Sequence, residues 1–126
     1  MKNPVAWFEI PVLDMDRAIK FYNEVFDFKL EYHDLGELLM AQLPFDVKAH
    51  GSSGALVCNK NYYIPSKNEG VLIYFECKSV KETLIKVNSN GGQILVEEKE
   101  ISPEHGFMGV FVDTEGNRIA LHSNPG

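Results

Sequence analysis

The sequence predicts an α+β fold in which one domain is built from two βαβββ units. The chain repeats itself weakly, because residues 54–59 (GALVCN) align with residues 119–124 (IALHSN) at an offset of 65 residues. The same offset aligns Asp14 with Ser79, and both are residue types that begin helices. Strand-like runs then follow each helix in the same order. Self-similarity at a fixed period indicates a duplicated structural unit.

The first unit covers residues 1–59. It opens on a β-rich apolar segment over 5–12, which is typical of a strand. Asp14 then begins a helix, whose apolar residues recur at helical spacing. Three further strands are predicted to follow the helix, at 29–34, 38–43 and 55–59.

A polar linker over 60–70 leads to the second unit, residues 71–126. This unit retraces the first. Ser79 and Glu82 form the Ser-x-x-Glu pattern that opens a helix, and Gly91 with its neighbouring glycine ends that helix. The strands of this unit are predicted at 71–77, 93–99, 107–112 and 118–123.

Length and composition restrict the class of protein. A chain of 126 residues with 44% hydrophobic and 24% charged residues fits one globular domain. The net charge of −6 argues against nucleic acid as a partner, since phosphate binding needs a clustered basic face. No apolar run reaches the roughly 18 residues that span a bilayer, so no membrane partner is expected. Cys58 and Cys77 are predicted to be free thiols that face the helices, which favours a cytoplasmic protein.

Two segments carry a resemblance to a known family. Residues 7–15 (WFEIPVLDM), followed by Arg17-Ala18 and Phe21-Tyr22, resemble the opening of the vicinal oxygen chelate superfamily. Residues 113–119 (DTEGNRI) resemble the Asp-Pro-Asp/Glu-Gly-Asn segment that precedes the last strand in that superfamily. Its members include glyoxalase I, bleomycin-resistance proteins and extradiol dioxygenases, so the fold hosts many reactions.

The resemblance implies a glyoxalase-like architecture. Two curved mixed sheets would form a ligand cavity, with the helices packed on the outside. Two-unit members of the superfamily commonly form homodimers, and a partner copy would then complete the cavity.

The resemblance also identifies where a metal would bind. Members that use a metal hold it with one residue from each of four strands. The alignment places Trp7, Leu72, Ala55 and Ala120 at these positions, as two pairs related by the repeat. None of these side chains can ligate a divalent cation, and a catalytic site needs about three protein ligands. The usual metal centre is therefore predicted to be absent, with no cofactor.

A displaced divalent-metal site is the alternative. Residues two positions along the same strand faces lie beside these four: Glu9, Val57, Tyr74 and His122. Glu9 and His122 are potential ligands, and Glu76 or His105 would have to complete the set. We favour a polar network in the cavity, with Glu9 hydrogen-bonded to Tyr74, because two ligands are too few.

Glu9 is also the candidate catalytic residue. An acid inside an otherwise apolar strand is costly unless it is paired or protonated, and such an acid suits general acid or base chemistry. The alternative role is a structural hydrogen bond. By strand alternation Arg118 faces the cavity, where it meets an anionic ligand or pairs with Glu115.

A ligand-binding cavity is therefore predicted on these strand faces. Beside Glu9, its lining residues are Trp7, Ala55, Val57, Leu72, Tyr74, Ala120 and His122. The small alanines leave room for a bulky or aromatic ligand. Two functions follow from the resemblance. One is a metal-independent protein that binds a small organic molecule, as the resistance proteins do; the other is a metal-dependent glyoxalase-like lyase or isomerase with an atypical ligand set.

Overall fold

The computed structural model describes residues 3–126 and contains two helices and two four-stranded sheets. The predicted pair of βαβββ units is confirmed. In chain order the elements are β1 (Phe8–Pro11), α1 (Met15–Phe26), β2 (Glu31–Asp34), β3 (Leu39–Gln42), β4 (Gly54–Cys58), β5 (Ile73–Glu76), α2 (Val80–Ser89), β6 (Gln93–Ser102), β7 (Gly106–Val112) and β8 (Arg118–Ser123).

The two sheets have the same topology, which is the structural counterpart of the sequence repeat. The first has the order β1-β4-β3-β2 and the second the order β5-β8-β7-β6. In each sheet the first strand of the unit pairs in parallel with the last, and the other neighbours are antiparallel. The register places Glu9 opposite Ala55 in the first sheet and Tyr74 opposite Ala120 in the second.

Local sequence signals explain where the helices begin. The Asp14 carboxylate accepts a hydrogen bond from the backbone N–H of Arg17 at 3.1 Å, and the Ser79 hydroxyl accepts one from Glu82 at the same distance. These bonds satisfy backbone donors that have no partner within the helix. Beyond α2, Gly91 adopts a left-handed φ of 92°, which glycine tolerates without steric cost.

The strands differ from the predicted bounds mainly at their ends. β1 begins at Phe8 rather than at residue 5, because the residues before it have no strand partner in the described structure. β6 continues to Ser102, beyond the predicted end at residue 99, because it forms a long irregular hairpin with β7.

The resemblance led us to expect the helices on the outside of the molecule, but they do not lie there. They share one hydrophobic core between the two units. Ring contacts join α1 to the second sheet: Phe21 lies 5.9 Å from Phe111, and Phe26 lies 4.9 Å from Phe75, between ring centroids. The reason is that the apolar surface of α1 is wide enough to contact both sheets. The other face of each sheet, here called the helix-free face, therefore points away from the core.

Both cysteines pack against this shared core, as strand alternation predicts. Cys58 and Cys77 are free thiols and partly buried. Burial raises the pKa of the Cys77 thiol, which keeps it in the unreactive protonated form at neutral pH. Neither described helix is long and apolar enough to cross a membrane.

Candidate functional site

Glu9 lies on the helix-free face of the first sheet and holds two hydrogen bonds. The Tyr63 hydroxyl donates to one carboxylate oxygen at 2.7 Å, and the Trp7 indole N–H donates to the other at 3.3 Å. The sequence led us to expect Tyr74 as the donor. Tyr63 takes that place because the linker folds back over β1, while Tyr74 is half exposed on the second sheet.

The predicted cavity residues fall into two groups by exposure. Ala55, Val57 and Ala120 are fully buried on the helix-free faces of their sheets. Trp7 and Tyr74 are 43% and 51% exposed. Small buried side chains therefore lie on the inner strands of each helix-free face, and exposed aromatic rings lie at or next to its edge strand.

His122 lies on the helix-free face of the second sheet, where both of its ring nitrogens are engaged. Nδ1 contacts the Glu76 carboxylate, and Nε2 lies 2.7 Å from the backbone oxygen of His105. Only the protonated ring can donate to both acceptors. The His105 carbonyl and, after it, Glu76 therefore raise the pKa of His122 above its ordinary value. The side chain of His105 is held separately, by Ser102 at 2.8 Å.

The structure divides the predicted residues between two cavities. The larger, here called the main cavity, has a volume of about 550 Å³ and lies between the start of β1, the segment 43–53 and β5. Leu72 and Tyr74 line it together with the rings of Phe8, Phe28 and Phe75.

The second cavity, here called the Arg118 cavity, has a volume of about 230 Å³. It lies between β1, the linker and the start of β8, and Glu9 and Arg118 both line it. Glu9 and the pair Leu72 and Tyr74 thus face different spaces in the single chain.

The four residues that the resemblance assigns to the metal positions carry no free ligand atom. Ala55 and Ala120 have no donor atom, Leu72 has none, and the Trp7 indole N–H already donates to Glu9. Within residues 3–126, no group of three or more His, Cys, Asp or Glu side chains is arranged to hold an ion. The displaced set does not assemble around Glu9 and His122, because each contacts different partners.

The turn between β7 and β8 forms a buried polar joint between the units. Glu115 accepts hydrogen bonds from the backbone N–H groups of Leu13 and Asp14, both at 2.8 Å, and from the Arg17 guanidinium at 2.7 Å. Burial raises the pKa of Glu115, but the donors, Arg17 foremost, outweigh it and leave the pKa below its ordinary value.

A second buried group extends this joint. The Tyr22 hydroxyl donates to the Asp113 carboxylate at 2.7 Å, and Asn117 donates to the same carboxylate and, at 2.6 Å, to the backbone oxygen of Pro11. Burial raises the pKa of Asp113, and burial together with Asp113 raises that of Tyr22. The joint thus explains why residues 113–117 have this sequence: they fasten α1 and β1 to the second unit.

Arg118 therefore does not pair with Glu115, because Arg17 occupies that carboxylate. One terminal nitrogen of Arg118 donates to the backbone oxygen of Gly70 at 3.2 Å. Its Nε is buried and finds no acceptor among the described residues. Sequence alternation placed this side chain toward a cavity, but it gave no sign that a donor would be left without a partner.

Comparison with known proteins agrees with this architecture. A family model described as the Glyoxalase/Bleomycin resistance protein/Dioxygenase superfamily matches residues 5–121. A protein of Didymella fabae, described as a glyoxylase-like domain-containing protein, is 29% identical over 123 residues, which are 97% of this chain and 94% of that relative.

Solved structures show the same fold. The V278E mutant of glyoxalase I from Zea mays has a TM-score of 0.76 at 22% identity, over 96% of this chain and 46% of that one, so this chain spans about half of the maize protein. A glyoxylase/bleomycin resistance protein/dioxygenase domain from Frankia sp. EAN1pec has a TM-score of 0.74 at 15% identity, over 98% and 99% of the two chains. At these identities the likeness concerns the fold alone.

Proposed function

Because the chain belongs to the glyoxalase/bleomycin resistance protein/dioxygenase superfamily, we propose that it binds a small organic ligand in the main cavity without the metal centre of that superfamily. The observation that carries the proposal is the cavity itself. Its volume of about 550 Å³ lies in the range of sites for drug-sized molecules, which is roughly 300–1,000 Å³.

The lining of the main cavity favours an aromatic ligand. Phe8 and Phe75 lie edge to face, with ring centroids 6.0 Å apart, and Phe28 joins them on the same wall. Such rings prefer edge-to-face and offset contacts with a further aromatic group. Tyr74 and Glu76 also line the cavity and offer hydrogen-bonding groups, so an aromatic ligand with one hydrogen-bonding substituent would satisfy both kinds of lining group.

The chemistry of the metal positions supports binding over metal-dependent catalysis. Ala55 and Ala120 are fully buried and carry no ligand atom, so the repeat has lost the same position in both units. The alternative, a glyoxalase-like lyase or isomerase, would need Glu9 and His122 to leave their present partners and acquire at least one more ligand.

We also propose that the protein is a cytoplasmic homodimer. The helix-free faces point away from the core, and two aromatic side chains on them, Trp7 and Tyr74, are 43% and 51% exposed. A second copy on this side would cover Trp7 and Tyr74 and would enlarge the contact around the main cavity. Sedimentation of the purified protein tests this, and a monomer at all concentrations would contradict it.

The ligand proposal is tested by thermal shift with a panel of small aromatic phenols and carboxylic acids, on protein treated with a chelator. Binding raises the melting temperature by mass action. Leu72→Trp fills the main cavity and should weaken binding about tenfold or more, whereas the matched control Leu95→Trp, on exposed β6, should not. The proposal is contradicted if compounds bind only after Ni²⁺, Zn²⁺, Mn²⁺ or Fe²⁺ is added.

The catalytic role predicted for Glu9 has its own test. If Glu9 acts on the ligand, Glu9→Ala should abolish binding or turnover while the protein stays folded. The contacts with Tyr63 and Trp7 support the structural alternative. Under that alternative, Glu9→Ala and Tyr63→Phe should lower stability to a similar extent and leave ligand binding in the main cavity intact.

A further inference from the structure

The Arg118 cavity contains charged groups that do not neutralise each other. Arg118, Glu9 and Glu69 all line it. Among residues 3–126, Arg118 forms no ion pair with either carboxylate, so the opposite charges lie more than a salt-bridge distance apart in one small space. The Nε of Arg118 is closed to solvent, so only the terminal nitrogens of the guanidinium are open to a bound molecule.

The arrangement of charge restricts what this cavity can take. A simple anion would satisfy Arg118 but would face two carboxylates. A simple cation would satisfy the carboxylates but would be repelled by the Arg118 guanidinium. A molecule that carries both charges pairs with the guanidinium and with the carboxylates, since its carboxylate accepts from Arg118 and its ammonium group donates to Glu69 and Glu9.

Part of the remaining lining is aliphatic. It includes Ile64, Val71 and Ile73, of which Ile64 and Val71 are 74% and 85% exposed. Exposed branched side chains beside a charged cavity are covered most readily by an aliphatic group. The volume of about 230 Å³ is smaller than a drug-sized site and suits a compact metabolite.

We propose that the Arg118 cavity is a second binding site, for a zwitterion of the aliphatic α-amino-acid class. The carboxylate of the ligand binds Arg118, its ammonium group lies between Glu69 and Glu9, and its side chain contacts Ile64 and Val71. This site goes beyond the function proposed above. The two cavities share only Ile73 as a lining residue, so failure at one leaves the other standing.

The test uses the full chain with L-leucine as the probe. Binding is measured by isothermal titration calorimetry and by heteronuclear NMR. Two matched probes separate the charges: 4-methylpentanoate has no ammonium group, and isoamylamine has no carboxylate. Leucine should bind saturably and shift the signals of Arg118 and Val71, and each single-charge probe should bind about tenfold or more weakly.

Variants of the cavity sharpen the result. Arg118→Lys keeps the charge but removes the planar pair of terminal nitrogens that binds a carboxylate, and Glu69→Gln keeps the shape of the side chain but removes the charge. Each should weaken leucine binding about tenfold, while Glu104→Gln, an exposed acid outside the cavity, should not. Absence of saturable leucine binding overturns the proposal. So does equal binding of 4-methylpentanoate, or an unchanged affinity in Arg118→Lys and Glu69→Gln when both variants are folded.

Discussion

Two neighbouring regions, the polar joint at residues 113–117 and the Arg118 cavity, differ in how their polar groups are paired. On one side, the joint around Glu115 and Asp113 gives each carboxylate several donors. On the other side, the Arg118 cavity holds a guanidinium that forms no ion pair with either of the two carboxylates beside it. A fully paired buried cluster is typical of a structural role, whereas open charged groups that line one cavity leave room for a ligand.

The motif at residues 113–117 and the candidate binding cavities differ in the same way. Residues 113–117 carry the clearest resemblance to the superfamily, yet their side chains bind the protein itself. The positions that the resemblance assigns to a metal hold Trp7, Leu72, Ala55 and Ala120, and both cavities lie beside these strands. Resemblance in a motif therefore reports the fold of this chain more than its chemistry.

The largest effect is expected from Glu115→Ala. It leaves the backbone donors of Leu13 and Asp14 and the Arg17 guanidinium without their acceptor. The two partly buried backbone donors left without an acceptor cost about 1–3 kcal/mol of unfolding free energy each, whereas the half-exposed Arg17 guanidinium can turn to water and adds little. Urea denaturation measures it. The control Glu104→Ala, at an exposed position, should change stability by about 0.5 kcal/mol or less. A loss of that small size in Glu115→Ala would show that the joint is not what holds the units together.

Tyr22→Phe is expected to have an intermediate effect. The variant keeps the buried ring but removes the hydroxyl that donates to Asp113 at 2.7 Å. Leaving a buried carboxylate short of one donor costs about 1–3 kcal/mol. Tyr62→Phe is the matched control, since Tyr62 is 82% exposed and should tolerate the change. Equal stability of the two variants would contradict a structural joint at Asp113.

The smallest effect is a pH dependence from His122. Its pKa is raised in the folded protein by the His105 carbonyl and Glu76, so the protonated ring stabilises the fold. This contribution is fully present below the unfolded pKa of about 6.5 and is lost as the pH rises through the higher folded pKa. His122→Gln should remove this part of the pH dependence, and His33→Gln, on exposed β2, should retain it. Parallel pH profiles of His122→Gln and the wild-type protein would contradict the paired-acceptor geometry.

Much of the fold could be predicted from the sequence, because its signals are local. Asp14 and Ser79 cap their helices as expected, and the repeat predicted the order of helices and strands along the chain. The position of the helices could not be predicted, because strand and helix periods identify a buried face without identifying what covers it. α1 contacts both sheets, and that depends on how the two units dock.

The site was harder to predict for the same reason. Alternation placed Glu9 and Arg118 on the helix-free faces, but their partners come from distant segments. Tyr63 reaches Glu9 from a linker that has no regular hydrophobic periodicity, and Arg17 and Glu115 are 98 residues apart in the sequence. Such pairings depend on loop conformation and on side-chain reach. The polar character of the linker was visible in the sequence, but its path was not.

The most direct test of the central claim is an NMR titration of chelator-treated protein with the aromatic compound that gives the largest thermal shift. Our account predicts that signals of Phe8, Leu72 and Tyr74 shift and saturate without any metal. It is contradicted if these signals stay unchanged until a divalent metal is added and the shifts then centre on Glu9 and His122.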